Sequence, residues 1–287
     1  MQTSDSWLLQ NVTEQNLNQP EWIIDGLAQG KMTAVCDGSY QPALSENWVS
    51  AAWRIETQPR QYICGKATVA GHVADAYRGE LHGILTLIKQ IEQMHPTYAK
   101  GSIEIGCDNK SAGWMSGDPC TRTAANTRHM DLIKAIRRIK QDIKTIVKFH
   151  HIYGHQDEHT EWSLLPRNVQ VNCIVDQIAQ QHLQEVFTTK QAICNPVFLD
   201  EGWYISIGGI KICQNHAKYI RDWIGKHRLR EYLYTKGFSW SSIDTIDFSV
   251  LENYLSYQSR WFCTWFSKLW SNFCGIGVKM KAMGMGQ

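Results

Sequence analysis

Three strand-like apolar segments follow one another at residues 32–37, 47–56 and 61–69, separated by clusters of Gly, Pro, Asn and Gln. Such close spacing predicts an antiparallel meander. The period then changes. From Asp75 to Met94, Leu81, Ile84, Leu85, Ile88 and Ile91 recur at three- and four-residue steps, which predicts an amphipathic helix that stops before Pro96. Residues 102–107 alternate again, with Ile103, Ile105 and Cys107 on one face. A second helix is predicted over 126–141, with Met130, Ile133, Ile136 and Ile139 inward, then a strand over 145–153. A third helix is predicted over 168–187, striped by Val171, Ile174, Val175, Ile178 and Leu183.

Three strands, helix, strand, helix or helices, strand, helix is the order of an α/β fold, a mixed five-stranded sheet flanked by helices. The pattern divides the chain into a polar leader or linker at 1–30, a principal domain at 31–187, a C-terminal extension at 188–278 and a disordered tail at 279–287. In the extension, Gly208-Gly209 reads as a hairpin turn, and helices are predicted near 214–236, near 247–257 and across the aromatic run from Trp261 to Trp270.

Composition narrows the class. At 43% hydrophobic and 20% charged residues the chain is of globular type, and a net charge of only +2 excludes a global basic signature, so nucleic-acid affinity has to come from local patches. Nine cysteines, an odd number without a Cys-x-x-Cys pair, read as reduced thiols of an intracellular protein, in nucleus or cytoplasm. Neither a secretory signal nor an 18-residue apolar run is present, so no membrane association is expected.

Four acids stand out because each follows or sits within an apolar element. They are Asp37 in Thr33-Ala34-Val35-Cys36-Asp37-Gly38-Ser39-Tyr40, Glu80 in Tyr77-Arg78-Gly79-Glu80-Leu81, Asp108 in Ile105-Gly106-Cys107-Asp108-Asn109 and Asp176 in Asn172 to Ala179. Any one alone reads equally well as a cap or turn residue. Together they describe a carboxylate cluster, whose mutual repulsion is relieved by hard cations, Mg²⁺ or Mn²⁺ rather than zinc. Two such ions about 4 Å apart can drive phosphodiester cleavage.

Asp37-Gly38-Ser39, Glu80-Leu81, Asp108-Asn109, Gly154-His155 and Asn172 to Ala179, on this succession of elements, resemble ribonuclease H over residues 31–187. The resemblance implies a ribonuclease H-like fold in which Asp37, Glu80, Asp108 and Asp176 bind two Mg²⁺ ions, with Mn²⁺ as substitute, and cut the RNA strand of an RNA/DNA hybrid. It implies that His155 assists leaving-group protonation or product release, and that Ser39 and Asn109 contact the nucleic acid. Two departures stand out: 21 residues separate His155 from Asp176, more than in compact cellular members, and Cys36 replaces the usual small hydroxyl residue before the first acid. Gly154-His155-Gln156-Asp157 and Ile220-Arg221-Asp222-Trp223 resemble the ribonuclease H region of retroelement polyproteins, which implies a reverse transcriptase module as partner. The densest basic stretch, Lys134, Arg137, Arg138, Lys140, Lys144 and Lys148, is either a solvated helix face or a phosphate-contacting surface through Arg137 and Arg138. A decayed or domesticated domain that binds nucleic acid or a partner without cutting is the alternative.

Overall fold

The computed structural model describes residues 11–14, 21–58, 61–98, 101–117, 127–190, 203–246 and 248–270. The chain forms two compact units, Met1–Tyr219 and Ile220–Gln287. In the first, the elements run β1 (Val12–Glu14), α1 (Glu21–Gln29), β2 (Thr33–Ser39), β3 (Trp48–Gln58), β4 (Gln61–Ala70), α2 (Ala76–Tyr98), β5 (Ser102–Cys107), α3 (Lys110–Gly117), α4 (Met130–Asp142), β6 (Ile146–His151) and α5 (Arg167–Thr189), followed by a small hairpin, β7 (Ser206–Ile207) and β8 (Ile210–Lys211). The main sheet has the order β1-β4-β3-β2-β5-β6. The meander β2-β3-β4 is antiparallel, and β5 and β6 join it in parallel on the far side of β2. The expected five strands are all there, and the short β1 adds a sixth at the β4 edge.

Central strand β2 is packed on one face by α2 and on the other by α5, which is why it is apolar almost throughout. Period-two alternation sends Ala34 and Cys36 into the core with Leu81, Ile84, Leu85 and Ile88 of α2, while Val35 joins Val171, Val175 and Ala179 of α5. Trp53 lies fully buried against Gly65, where a Cβ would stand 2.5 Å from its ring. Each fully buried Leu or Ile stabilises the core by about 1.5–3 kcal/mol.

Several boundaries differ from the pattern-based expectation. Of the expected polar leader, β1 pairs with β4, and α1 buries Ile23 and Leu27 in the core. Helix α2 continues through Pro96 to Tyr98, because a proline in the last turn forfeits only one backbone hydrogen bond. Helix α4 begins at Met130, after His129 in the left-handed region at φ 53°, and position 126 lies outside the described residues. The compact division falls after Tyr219 rather than at 187, since the hairpin belongs with the first unit. Its turn glycines, Gly208 and Gly209, have φ of 59° and 79°, as a two-residue hairpin loop requires.

In the second unit lie most of α6 (His216–Thr235) and α7 (Trp240–Asp244), α8 (Phe248–Ser256) and α9 (Arg260–Trp270). Ser239 caps α7 by accepting from the Ser242 N–H at 3.1 Å. The expected tail at 279–287 lies outside the described residues.

What anchors the hairpin is a buried charge network at the start of α2. The fully buried Arg78 donates to both oxygens of Asp131 on α4, at 3.2 and 3.0 Å, and Lys211 Nζ of β8 stands 3.9 Å from the same carboxylate. Asp75 accepts from the Arg78 backbone N–H at 2.8 Å, pairs with Arg128, and meets His129 Nε2 at 2.9 Å. Cys213, just past the hairpin, donates its backbone N–H to His72 Nδ1 at 2.9 Å. Burial alone would raise the Asp131 pKa, but the Arg78 guanidinium outweighs it and brings it down to about 2. A carboxylate depressed in this way contributes stability above its ordinary pKa near 4, and that contribution is lost as pH falls towards 2. Asp131→Asn is expected to cost about 3–5 kcal/mol at neutral pH, because it takes the paired carboxylate charge away from the fully buried Arg78. Denaturant unfolding of both proteins at pH 7 measures it. A loss below about 1 kcal/mol, the size of an exposed pair, would show that the network does not hold this corner together.

Candidate active site

Because β2 and β5 run parallel as neighbours, their carboxyl ends open on the same side of the sheet. Asp37 sits near the end of β2, and Asp108 follows the last residue of β5. Glu80 is brought to them by a backbone-to-backbone contact. A Cβ on Gly38 would lie 2.3 Å from the Gly79 carbonyl carbon, so only glycine lets the start of α2 settle on the end of β2. There the Gly38 N–H donates to Asp37 Oδ1 at 2.7 Å and to Glu80 Oε1 at 3.1 Å, one donor holding two carboxylates.

Helix α5 supplies the fourth acid. Asn172, Asp176 and Gln180 follow at four-residue steps and share a face. Gln180 Nε2 donates to both Asp176 oxygens, at 2.8 and 2.9 Å, and Asn172 Nδ2 donates to Asp37 Oδ2 at 3.4 Å. On the Asp108 side, a Cβ at Gly154 would come 2.9 Å from Oδ2, so the loop backbone itself closes over that carboxylate. Asn109 accepts from the Ala112 N–H at 3.1 Å and caps α3.

The four acids line one open cleft of about 560 Å³, together with Asn109, His155, Asp157 and Glu158. The structure thus gathers Asp37, Glu80, Asp108, Asp176, His155 and Asn109. His155 is in the left-handed region at φ 52°, exposed at the rim, with Nδ1 3.7 Å from Glu158 Oε1. Ser39 is buried at the end of β2. Arg137 and Arg138 stand on α4, and neither is among the residues lining the cleft. The Arg137 guanidinium donates to the Met115 carbonyl at 3.1 and 2.9 Å, and Lys140 donates to the Ser116 carbonyl at 3.1 Å. Both therefore serve the carboxyl end of α3, where cations are favoured.

Electrostatics mark the cleft as strained. Burial raises the Asp37 pKa to about 8, helped by the charges of Asp108 and Asp176 and opposed by the hydrogen bonds from Glu80 and Gly38. Glu80 is pushed well above the carboxylate range, first by burial and then by Cys107, Asp37 and Asp108. Asp108 is raised by burial and by Asp176, against the pull of Glu80, His155 and His151. Asn172 Oδ1 is buried with no hydrogen-bond partner in the structure. Ligand atoms of Glu80, Cys107 and Asp108 all lie within 4.8 Å of one another. Crowded oxygen donors whose charges are mutually unfavourable fit a divalent cation.

Asn172 and Gln180 were not singled out from sequence. Their signal is the polar four-residue period centred on Asp176 in an otherwise apolar helix.

No protein-family model matches the chain, and no curated protein matches its sequence. Among solved structures, a ribonuclease H1 named LC11, isolated from compost by a metagenomic approach and solved with an RNA/DNA hybrid, is similar at 12% identity, covering 54% of this chain and 99% of its own, with a TM-score of 0.41. The N-terminal ribonuclease H domain of a Mycobacterium tuberculosis protein follows at 11% identity, 55% and 98% coverage and TM-score 0.38. Ribonuclease H1 of the halophilic archaeon Halobacterium salinarum gives 14%, 54%, 99% and 0.36. The fold is ribonuclease H-like. That statement rests on the strand order and strand directions of this chain, a mixed sheet with the antiparallel meander on one side of β2 and the parallel pair on the other.

A raised pKa on Asp37 has a direct consequence for stability. A group whose folded pKa exceeds its unfolded value favours the fold below the unfolded pKa, and that contribution is lost as pH rises through the folded one. For Asp37 the window runs from 3.8 to about 8. Without divalent cation, the melting temperature is expected to fall across this window, and to fall less in Asp37→Asn. Equal slopes in thermal melts of the two chelator-treated proteins would contradict a raised Asp37 pKa in the folded chain.

Proposed function

We propose that the chain is a metal-dependent endonuclease that hydrolyses the RNA strand of RNA/DNA hybrids. The observation that carries this reading is the convergence of Asp37, Glu80, Asp108 and Asp176, from four separate elements, in one open cleft. When bound there, divalent cations of the Mg²⁺ or Mn²⁺ class supply electrophilic stabilisation of phosphodiester charge. The chain's own groups hold and orient. The Gly38 N–H fixes Asp37 and Glu80 as a pair, Asn172 braces Asp37, and Gln180 braces Asp176. His155, which lines the rim of the cleft, would hand a proton to the leaving oxygen in this reading. Asn109, which lines the cleft, serves as a contact to the nucleic acid, and hybrid recognition depends on shape, phosphates and the 2′-hydroxyl.

The reading extends to origin. The Gly154-His155-Gln156-Asp157 loop and the Ile220-Arg221-Asp222-Trp223 segment support descent from a retroelement polyprotein, with a reverse transcriptase module as partner. Residues 220–287 carry nine Lys or Arg against five Asp or Glu, which suits a unit that adds phosphate contacts.

The test is incubation of the full chain with labelled RNA/DNA hybrid, double-stranded RNA and double-stranded DNA, with Mg²⁺ and with chelator. Cleavage of the hybrid's RNA strand alone, abolished by chelator, is expected. Asp37→Asn keeps the shape of the side chain but loses its charge, so it is expected to lower turnover by about 100-fold or more while leaving the circular dichroism unchanged. Near-normal Mg²⁺-dependent cleavage by this variant would sink the assignment.

A further inference from the structure

The residue before Asp37 on β2 is Cys36, and the residue before Asp108 on β5 is Cys107. The parallel register places Thr33 beside Glu104, Ala34 beside Ile105 and Val35 beside Gly106, so one step further the two cysteines come level. Both are buried, and the Cys36 thiol donates to the Gly106 carbonyl at 3.9 Å. Cys107 Sγ also stands 3.4 Å from Glu80 Oε2. The cluster is therefore not a set of oxygens alone. It contains a thiol beside two carboxylates, Glu80 and Asp108, with one ligand atom of each within 4.8 Å of the others.

Ligand geometry decides what such a set prefers. Around a tetrahedral cation with sulfur at about 2.3 Å and oxygen at about 2.0–2.2 Å, neighbouring sulfur and oxygen ligands are about 3.5 Å apart. The hydrogen bond from Cys107 Sγ to Glu80 Oε2 holds the two groups at 3.4 Å, close to that spacing. Hard cations such as Mg²⁺ require oxygen ligands in a near-octahedral set and gain nothing from a thiolate, whereas Zn²⁺ and Cd²⁺ do.

We propose that Glu80, Cys107 and Asp108 form a site for a thiophilic divalent cation of the Zn²⁺ or Cd²⁺ class, with Cys107 Sγ a direct ligand. The site overlaps the centre assigned above to a hard cation, so the two classes compete. It shares the residues of that reading but not its nuclease chemistry. On binding, the Cys107 S–H bond breaks as the sulfur–metal bond forms, the proton passes to water, and no electron is exchanged.

The probe is Cd²⁺ itself, titrated into the metal-free full chain while sulfur-to-cadmium charge-transfer absorption is followed in the ultraviolet. Nine cysteines give a background, so the readout is the difference between wild type and Cys107→Ser. The expected difference is one high-affinity thiolate band, absent in Cys107→Ser, retained in Cys36→Ser, and shifted to higher Cd²⁺ by excess Mg²⁺. Identical titrations of wild type and a folded Cys107→Ser would overturn the proposal, as would loss of the band in Cys36→Ser alone. Should Cys107→Ser not fold, Glu80→Gln leaves the thiol in place and is expected to weaken this band's Cd²⁺ affinity on the order of tenfold or more; unchanged affinity there overturns it equally. Neither readout depends on cleavage. A chain that cuts no hybrid yet loses the band in Cys107→Ser removes the nuclease reading and keeps this one, and Mg²⁺-dependent cleavage with no cadmium difference does the reverse.

Discussion

Carboxylates brought to one point in a low-dielectric cleft repel, and the first unit is arranged to hold them there against that repulsion. Burial and mutual charge lift Asp37, Glu80 and Asp108 together, so the folded state without a cation keeps part of the cluster protonated. What prevents the cluster from spreading is backbone. The Gly38–Gly79 approach leaves no room for a side chain between β2 and α2, and Gly154 closes over Asp108 in the same way. The donor that Asp37 and Glu80 share is a main-chain N–H, which cannot rotate away. A site held by side chains alone could relax by changing rotamers. This one relaxes by taking up protons or a cation.

The charge network at the foot of α2 belongs to the same constraint. Glu80 is two residues from Arg78, so whatever fixes the first turn of α2 also fixes the acid. Arg78, Asp131, Lys211, Asp75 and His129 connect α2, α4 and the hairpin through groups that are mostly withdrawn from water. Such a network adds little net stability over an apolar core of equal volume, but removing one partner leaves a stranded charge. Its effect is therefore to make the position of α2 all-or-none. Residues 203–219, which read from the sequence as part of a separate extension, are in this way part of the first unit.

How much of this was legible in the sequence follows the range of each interaction. Local period sufficed for β2 to β6, for the buried face of α2 and for the stripe of α5, because burial on one face imposes its spacing within a few residues. The four acids were legible because each interrupts an apolar element. The role of the leader was not: Trp22, Ile23, Ile24 and Leu27 make one short apolar cluster on a nine-residue helix, too brief a repeat to define a period, and β1 is three residues long. Lys211 and Asp131 are 80 positions apart, and nothing local in either stretch announces the pair. The basic run on α4 illustrates a third limit. Composition separates neither a solvated face from a phosphate surface nor either from what Arg137 does, which is to satisfy the end of α3.

Helix α5 is where core and site become a single problem. Val171, Val175 and Ala179 lock it against β2 and β3, and Asn172, Asp176 and Gln180 are each the next residue along. Adjacent residues on a helix differ by about 100° in direction, so the apolar stripe fixes the rotation at which the polar one faces the cleft. A change that makes α5 roll to repack its Val and Ala contacts also swings Asp176 away from Asp37 and Asp108. The bracing by Gln180 cannot compensate, because it lies on the same helix and moves with it. Asn172 differs in this respect. Its bond to Asp37 crosses from α5 to β2, and together with the pairs Arg167–Glu56 to β3 and Glu185–Lys66 to β4 it resists rotation of the helix relative to the sheet.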